Sequence, residues 1–126
     1  MVMKNWWVIC LCLIAGCQNN EASAPELVTD DAQQIGATSV VMGAEIKQIG
    51  PVRPVNFGFL WDIQPDISII ASKNKLVIGS ATEPRKFSIK LDNLTASTVY
   101  YYRGFAANED YSKIYYSNTV MFTTLP

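Results

Sequence analysis

Few side chains in this sequence could carry catalytic chemistry. Histidine is absent, and all three cysteines, Cys10, Cys12 and Cys17, lie within the first 17 residues. The usual proton shuttle at neutral pH, the commonest transition-metal ligand and a complete hydrolytic triad are therefore missing. Beyond Cys17 there is also no glycine-rich phosphate loop, HExxH pattern or CxxC pattern. We expect no enzyme activity, no cofactor and no metal site.

Two adjacent carboxylate pairs, Asp30-Asp31 and Glu109-Asp110, are the remaining candidates for chemistry. Both lie in turn-rich stretches, where acidic residues usually solvate a loop and favour turn geometry. Weak Ca²⁺ ligation is the alternative, because hard oxygen ligands suit that ion. We prefer the structural interpretation.

The first 16 residues follow the pattern of an export signal. Lys4 supplies a positive charge, an apolar run covers residues 6–15, and the small residues Ala15 and Gly16 precede Cys17. A membrane-spanning helix needs about 20 apolar residues, so this run is too short to cross a bilayer. The pattern predicts cleavage between Gly16 and Cys17, which makes Cys17 the first residue of the mature chain.

The tetrapeptide Ile14-Ala15-Gly16-Cys17 resembles the lipobox of bacterial lipoproteins. The resemblance implies lipid attachment at Cys17, as a thioether-linked diacylglycerol with palmitate-type chains, and a place in the cell envelope. Each buried methylene adds roughly 0.8 kcal/mol, so two or more acyl chains anchor the protein in effect permanently. Gln18 is not the Asp that often marks inner-membrane retention, which favours the outer membrane over the inner one.

A short polar stretch separates this anchor from the folded part. Residues 17–25 are small and polar beyond the cysteine, which is typical of a flexible tether. The eight residues after Cys17 reach at most about 28 Å, so a domain over residues 26–126 must stay close to the membrane. The full chain has a net charge of −1 and its ten Lys and Arg are scattered, which argues against nucleic acid as a partner.

Apolar and polar residues alternate in period two over most of residues 26–126. The alternation is clearest in five runs, at residues 40–47, 55–62, 87–91, 100–107 and 120–123. Turn-rich stretches separate the runs about every 8–12 residues, and no segment shows an apolar stripe at helical spacing. We predict an all-β fold, a seven-stranded antiparallel immunoglobulin-like sandwich. The stretch 67–80 fits either one irregular strand or two.

The stretch from Leu94 to Arg103 resembles the corner before strand F of fibronectin type III domains. In that motif a tyrosine, here Tyr100, follows a leucine, here Leu94, by six residues, and its phenol hydrogen-bonds back to the corner backbone. The resemblance extends to three further pieces, Ala37-Thr38-Ser39-Val40, Gly58-Phe59-Leu60-Trp61 and Tyr116-Ser117-Asn118. It is strongest to the fibronectin III-like repeats of Bacteroidetes-type cell-surface proteins, and it implies such a β-sandwich over residues 26–126.

The aromatic residues suggest a ligand-binding face. The alternation assigns seven of them to the core: Phe57, Phe59, Trp61, Phe87, Tyr100, Tyr102 and Phe122. Tyr101 and Phe105 share the other face of strand F, and we expect Tyr115 beside them on the neighbouring strand. Such a patch can stack on sugar rings or dock a protein. Ordinary packing on the sheet surface is the alternative, since β-propensity favours tyrosine there.

Two functions are compatible with these features. The preferred one is a membrane-anchored, non-enzymatic lipoprotein module that mediates protein interaction or assembly at the cell envelope. The alternative is a glycan-binding surface lipoprotein that uses Tyr101, Phe105 and Tyr115. Strand parity puts the tether at the same end as the loops 48–54, 79–85 and 108–113, so we expect that end to face the membrane and the opposite end to point outward.

Overall fold

The computed structural model describes residues 24–51 and 53–126, and these form eight β-strands. The strands are β1 (Glu26–Thr29), β2 (Val40–Gln48), β3 (Val55–Asp62), β4 (Asn74–Ala81), β5 (Arg85–Leu91), β6 (Val99–Ala107), β7 (Ile114–Tyr116) and β8 (Val120–Thr123). One sheet has the order β1-β2-β5, and the other has the order β4-β3-β6-β7 with β8 also paired to β6. All strand pairs are antiparallel. The all-β prediction is confirmed, and within the described ranges no helix is long and apolar enough to cross a membrane.

The main core lies between the two sheets. Each strand turns alternate side chains toward the opposite sheet, which is why the period-two pattern identifies the buried rows. The buried row of β2 is Val40, Met42, Ala44 and Ile46. Phe87 of β5 packs against Phe57 and Phe59 of β3, with ring centroids 4.7 Å and 5.0 Å apart. These rings join the two sheets at the centre of the sandwich.

The described residues form eight strands rather than the predicted seven, because the last strand is broken into β7 and β8. Ala107 of β6 pairs with Ile114 of β7, whereas Tyr102 of β6 pairs with Val120 of β8. The two registers differ by one residue, so one extra residue is accommodated between them, as in a β-bulge. The pattern of apolar residues in the sequence does not show such a shift.

Gly104 of β6 leaves room for the Ser117 side chain at this break. A Cβ at Gly104 would lie 3.2 Å from the hydroxyl oxygen of Ser117 and 3.2 Å from the methyl group of Ala44. In the absence of a side chain, the Ser117 hydroxyl accepts a hydrogen bond from the Gly104 amide at 2.7 Å. The Ser117 amide donates to the Gly104 carbonyl at 3.0 Å. At the break, Ser117 therefore supplies hydrogen-bond partners for both the amide and the carbonyl of Gly104.

The undecided stretch 67–80 contains one strand, β4, which begins at Asn74. The residues before it, 63–73, leave the end of β3 and fold over the outer face of the larger sheet, and we call them the cover loop. Ile67 of this loop is buried in a second, smaller core with Leu60, Phe105 and Ala107. The cover loop therefore shields part of the outer face of the larger sheet.

The strand directions define two ends of the sandwich. Glu26, at the beginning of β1, pairs with Gln48 at the end of β2. The short loop 49–54 joins the end of β2 to the beginning of β3, where Asn56 pairs with Ala107 at the end of β6. The beginning of β1 and the ends of β2 and β6 therefore lie at the same end of the sandwich. This proximal end contains residues 24–25 and the loops 49–54, 82–84 and 108–113. The distal end contains the loops 30–39, 63–73 and 92–98 and residues 124–126. The grouping of loops agrees with the strand parity read from the sequence.

Candidate functional site

The predicted lipid attachment at Cys17 lies outside the described residues. The same holds for the cleavage between Gly16 and Cys17, for the signal at residues 1–16 and for most of the tether. The described chain begins at the proximal end, where the carbonyl of Ala24 accepts a hydrogen bond from the side-chain amide of Gln48 at 2.9 Å. Pro25 is buried. The chain is thus held against the sandwich from the first residues before β1.

β1 connects the entering chain to both sheets. It pairs with β2 along its length, and Thr29 at its end is buried. The Thr29 amide donates a hydrogen bond to the side-chain carbonyl of Asn118 at 2.9 Å. The Thr29 hydroxyl donates to the Asn118 backbone carbonyl and contacts the hydroxyl of Ser117. The break between β7 and β8 therefore serves as the attachment point of β1 to the larger sheet.

Tyr100 and Leu94 occupy the corner before β6. The phenol oxygen of Tyr100 accepts a hydrogen bond from the Thr95 amide at 2.8 Å, and the ring stacks on Phe122 with centroids 5.6 Å apart. Leu94 is buried, and its amide donates to the carbonyl of Thr38 at 2.9 Å. The contacts of both residues are internal to the fold.

The aromatic face predicted from Tyr101, Phe105 and Tyr115 does not form. Phe105 pairs with Tyr116, while Tyr115 pairs with Ala106 and packs against the main core. A register offset of one residue moves a side chain to the other face of a sheet, which explains the wrong prediction for Tyr115. Phe105 is 0% exposed. Of the three residues, Tyr101 alone is partly exposed on the outer face.

Phe105 is buried because the cover loop lies over it. Ile67 from the loop is 3% exposed and shares the smaller core with Phe105 and Leu60. Ile69, also from the loop, packs against the same cluster. Alternation shows which residues share a face, but it does not show that a distant segment will cover that face.

Arg103 of β6 holds the cover loop on the sheet. Its guanidinium lies over the Tyr116 ring, 4.5 Å from the centroid. One of its terminal amino groups donates to the Ile67 carbonyl at 3.0 Å, and its Nε donates to the Ser117 carbonyl at 2.9 Å. The phenol oxygen of Tyr116 accepts a hydrogen bond from the Ile69 amide at 3.0 Å. Together these contacts fix the path of the loop across the sheet.

The sequence reasoning missed Arg103. Partial burial lowers the pKa of its guanidinium, with a smaller opposing effect from Tyr116. A charged residue in the middle of a strand, between Tyr101 and Phe105, was the available signal. Such a residue needs acceptors near it when its face is covered.

The two carboxylate pairs lie at opposite ends of the sandwich. A carboxyl oxygen of Asp110 accepts a hydrogen bond from the Ser112 amide at 3.0 Å. Hydrogen bonds from the side chain and backbone of Ser112 hold the pKa of Asp110 below its usual value. Nowhere in residues 24–51 and 53–126 do three or more His, Cys, Asp or Glu side chains group in a way that could hold a metal ion. At Asp110 the observed contacts are those of a turn.

Asp30 contributes its backbone to the fold. Its carbonyl accepts a hydrogen bond from the hydroxyl of Tyr102. Burial raises the pKa of Tyr102, and the nearby charges of Asp30 and Asp31 raise it further. Tyr102 is therefore held in its neutral, donating form.

Exposed large apolar side chains collect at the distal end. Five of them lie in the distal loops or in the strand ends beside these loops, and we call them the distal apolar set: Ile63, Ile70, Val99, Met121 and Leu125. Among the described residues, the other two exposed large apolar side chains are Val28 on β1 and Val77 on β4. The most exposed of all is Ile70, at 93%. The alternation of apolar and polar residues in the sequence assigns no role to these positions.

Comparison with known proteins finds a likeness in fold alone. No protein-family model matches the chain, and no curated protein matches it. The sensor domain of the anti-sigma factor RsgI4 of Pseudobacteroides cellulosolvens is similar in fold, with 17% identity and a TM-score of 0.57 over 80% of this chain and 94% of that chain.

Two human domains are also similar to this chain in fold. The fibronectin type III domain of fibronectin type III domain containing protein 3 is 16% identical with a TM-score of 0.55, over 82% of this chain and 89% of that one. The fibronectin type III domain of the protein KIAA0970 is 17% identical with a TM-score of 0.53, over 83% of this chain and 77% of that one. At these identities the comparisons show the fold, and they confirm the fibronectin III-like sandwich.

Proposed function

We propose that this protein is a lipid-anchored, non-enzymatic module that presents a fibronectin III-like sandwich to a protein partner at the cell envelope, with the outer membrane as its site. The observation that carries the proposal is the separation of the two ends. The chain enters at the proximal end, and five of the seven exposed large apolar side chains of the described residues lie at the distal end. A domain tethered at one end presents its opposite end to partners.

The contacts of the polar residues favour recognition over catalysis. Thr29, Tyr100 and Arg103 are engaged with backbone groups inside the domain. One structural relative is itself described as a sensor domain, and a sensing role, like a docking role, requires a recognition surface rather than catalytic groups. The glycan-binding alternative has lost its structural basis, because Phe105 is buried and Tyr115 faces the main core.

The anchor is tested by metabolic labelling of cells that express the full-length chain. Cells are grown with alkynyl palmitate, the chain is isolated, and the label is detected by a fluorescent azide. We expect Cys17→Ser to abolish labelling and to remove the chain from the membrane fraction. In the wild type, the labelled chain should sediment with outer-membrane markers in a density gradient.

The chain provides matched controls at Cys10 and Cys12, which lie in the predicted signal. Cys10→Ser and Cys12→Ser should both leave labelling intact. Labelling that survives Cys17→Ser would contradict the anchor. The interaction is tested in the same cells with an amine-reactive crosslinker, which should join the wild-type chain to another protein, and the absence of any adduct would contradict this part of the proposal.

A further inference from the structure

We propose that β5 binds an extended segment of another protein as an added strand, and that this segment carries acidic side chains opposite Lys86 and Lys90. The inference rests on the proposed function, in which the chain binds a protein, and it adds a binding surface and the chemistry of the partner. Three observations support it: the unpaired backbone of β5, the condition of the other edge strands, and the position of the two lysines.

The hydrogen bonds of β2 show which way the backbone of β5 points. The amide and the carbonyl of Val41 both bond to Gln33, on the side of β2 away from β5. Successive residues of a strand direct these groups to opposite sides, so Met42 bonds toward β5, where it pairs with Ile89. The alternate residues of β5 therefore direct their amides and carbonyls to the free edge. These residues are Lys86, Ser88 and Lys90.

This free edge is largely unoccupied. β5 is the last strand of the smaller sheet, and within the described ranges no segment pairs with its outer side. The Nε of Arg85 donates to the carbonyl of Lys86 at 3.3 Å, which covers one end of the edge. The backbone groups of Ser88 and Lys90 are left for a partner strand, because unpaired backbone groups of an edge strand are a template for strand addition.

The other edge strands are irregular or already bonded. β1 is attached to the larger sheet through the bond from Thr29 to Asn118, and the opposite edge of that sheet is broken between β7 and β8. β4 contains a bulge opposite Phe57 and Gly58. Bulges interrupt the spacing that an added strand needs. β5 pairs with β2 without a shift over residues 85–91, so its free edge is regular.

The two faces of β5 define the side chains of the partner. Lys86, Ser88 and Lys90 are exposed on the outer face. Ile89 and Leu91 lie on the inner face and are partly buried against the main core. Opposite charges at directly paired positions stabilise a sheet. The segment that fits has acidic residues four positions apart, opposite Lys86 and Lys90, and apolar residues that extend the inner row.

The carboxylates of the same face do not pair with the two lysines. Glu45 lies opposite Lys86, but its carboxylate is 3.8 Å from the Nζ of Lys47. Asp30 bonds to β2 from the β1 side and shares a shallow depression with Lys86. Among the residues that the structure describes, no ion pair joins Lys86 or Lys90 to a carboxylate. The acidic groups thus lie toward β1, and the lysines lie at the free edge.

Other occupants fit this edge less well. β5 of a second copy, paired about a two-fold axis at Ser88, would place Lys86 opposite Lys90 twice, and like charges directly opposite destabilise a sheet. Anionic lipid headgroups attract lysines. A headgroup phosphate accepts hydrogen bonds but donates none, so the carbonyls of β5 would stay unpaired. An extended protein segment supplies donors and acceptors together.

The test is site-specific photocrosslinking of the full-length chain in intact cells. The photoreactive amino acid p-benzoylphenylalanine replaces Ser88 on β5. Ser80 on β4 is the matched control, since it is an exposed serine on another edge strand. We expect an adduct with another protein at Ser88, at a yield about tenfold above that at Ser80. Mass spectrometry of the crosslinked segment should find two acidic residues four positions apart.

A charge reversal tests the lysines. Lys86→Glu with Lys90→Glu should lower the adduct yield at Ser88 about tenfold, because it places like charges opposite each other. Lys73→Glu with Lys113→Glu makes the same change at exposed lysines away from β5 and should leave the yield unchanged. Replacement of the two acidic residues of the crosslinked segment by lysine should restore the yield with the reversed β5.

A proline tests the backbone. Ser88→Pro removes the amide that faces the free edge and leaves the bonds between β5 and β2 in place. With p-benzoylphenylalanine at the exposed Asp92, directly after β5, Ser88→Pro should lower the adduct yield about tenfold, whereas Ser88→Ala should not. Equal amounts of each variant in the membrane fraction and equal urea midpoints show that the chain has folded.

Several outcomes would overturn the inference. A crosslinked segment without the acidic pair, an adduct with a second copy of the chain or with lipid, or a yield indifferent to the charge reversal would each do so. Adducts at Ser80 but not at Ser88 would remove β5 as the surface and leave the interaction function standing. The absence of adducts at both positions, together with no product from the amine-reactive crosslinker, would count against the interaction function as well.

Discussion

Replacement of Phe105 by alanine distinguishes most sharply between the surface predicted from the sequence and the smaller core found in the structure. Phe105 is 0% exposed and packs with Leu60, Ile67 and Ala107 beneath the cover loop. Burial of a phenylalanine side chain contributes about 1.5–3 kcal/mol. Truncation to alanine also leaves a cavity, so the total cost is about 3–5 kcal/mol.

This cost is a large fraction of the whole stability, since domains of this size unfold with about 5–15 kcal/mol. Phe105→Leu, which preserves most of the volume, should cost less than about 1.5 kcal/mol. Val99→Ala is the matched control on the same strand, and its exposed position predicts a change within about 0.5 kcal/mol.

The assay is urea unfolding of the purified lipidated chain, followed by tryptophan fluorescence. Trp61 is the sole tryptophan beyond the predicted signal and packs against the main core, so its emission reports on loss of the fold. A cost below about 1 kcal/mol for Phe105→Ala would refute the assignment of Phe105 to a core, because a surface aromatic residue loses little on truncation.

Three further changes test other contacts. Tyr100→Phe keeps the ring but removes the acceptor at the corner, and it should lower the free energy of unfolding by about 1 kcal/mol in the same assay; no change would show that the hydrogen bond is dispensable. The raised pKa of Tyr102 means that its contribution to stability is complete below about pH 10, the pKa of an unfolded tyrosine, and is lost as the pH rises toward the folded-state pKa. Tyr102→Phe should therefore flatten the loss of stability above pH 10 in unfolding curves measured across that range, and an unchanged slope would contradict this assignment. Asn118→Ala removes the acceptor of the Thr29 amide and should speed hydrogen exchange of β1 more than that of β2; equal effects on both strands would exclude a local attachment.

Much of the architecture is predictable from the sequence because it follows from local rules. Alternation identifies the buried rows of β2 and β6, since successive side chains of a strand point to opposite faces. The spacing of Leu94 and Tyr100 predicts a corner whose hydrogen bond joins residues only five positions apart, Thr95 and Tyr100. The grouping of loops at two ends follows from the alternating direction of successive strands.

The errors arise where contacts depend on distant residues. At the break between β7 and β8, Ser117 bonds to Gly104, and the register there puts Tyr116 rather than Tyr115 beside Phe105. The burial of Phe105 requires a loop from between β3 and β4 to cross the sheet. The role of Arg103 becomes evident only in the folded chain, where the carbonyl of Ile67 accepts a hydrogen bond from it.

The sequence by itself determined the all-β class, the rows of core residues and the absence of histidine, because each depends on residue type or on spacing along one strand. It also supports the prediction of a lipid at Cys17. Tertiary structure alone decided which part of the outer face of the larger sheet is covered and which apolar residues remain exposed at the distal end. These outcomes depend on packing between segments far apart in the chain, and period-two alternation contains no information about such packing.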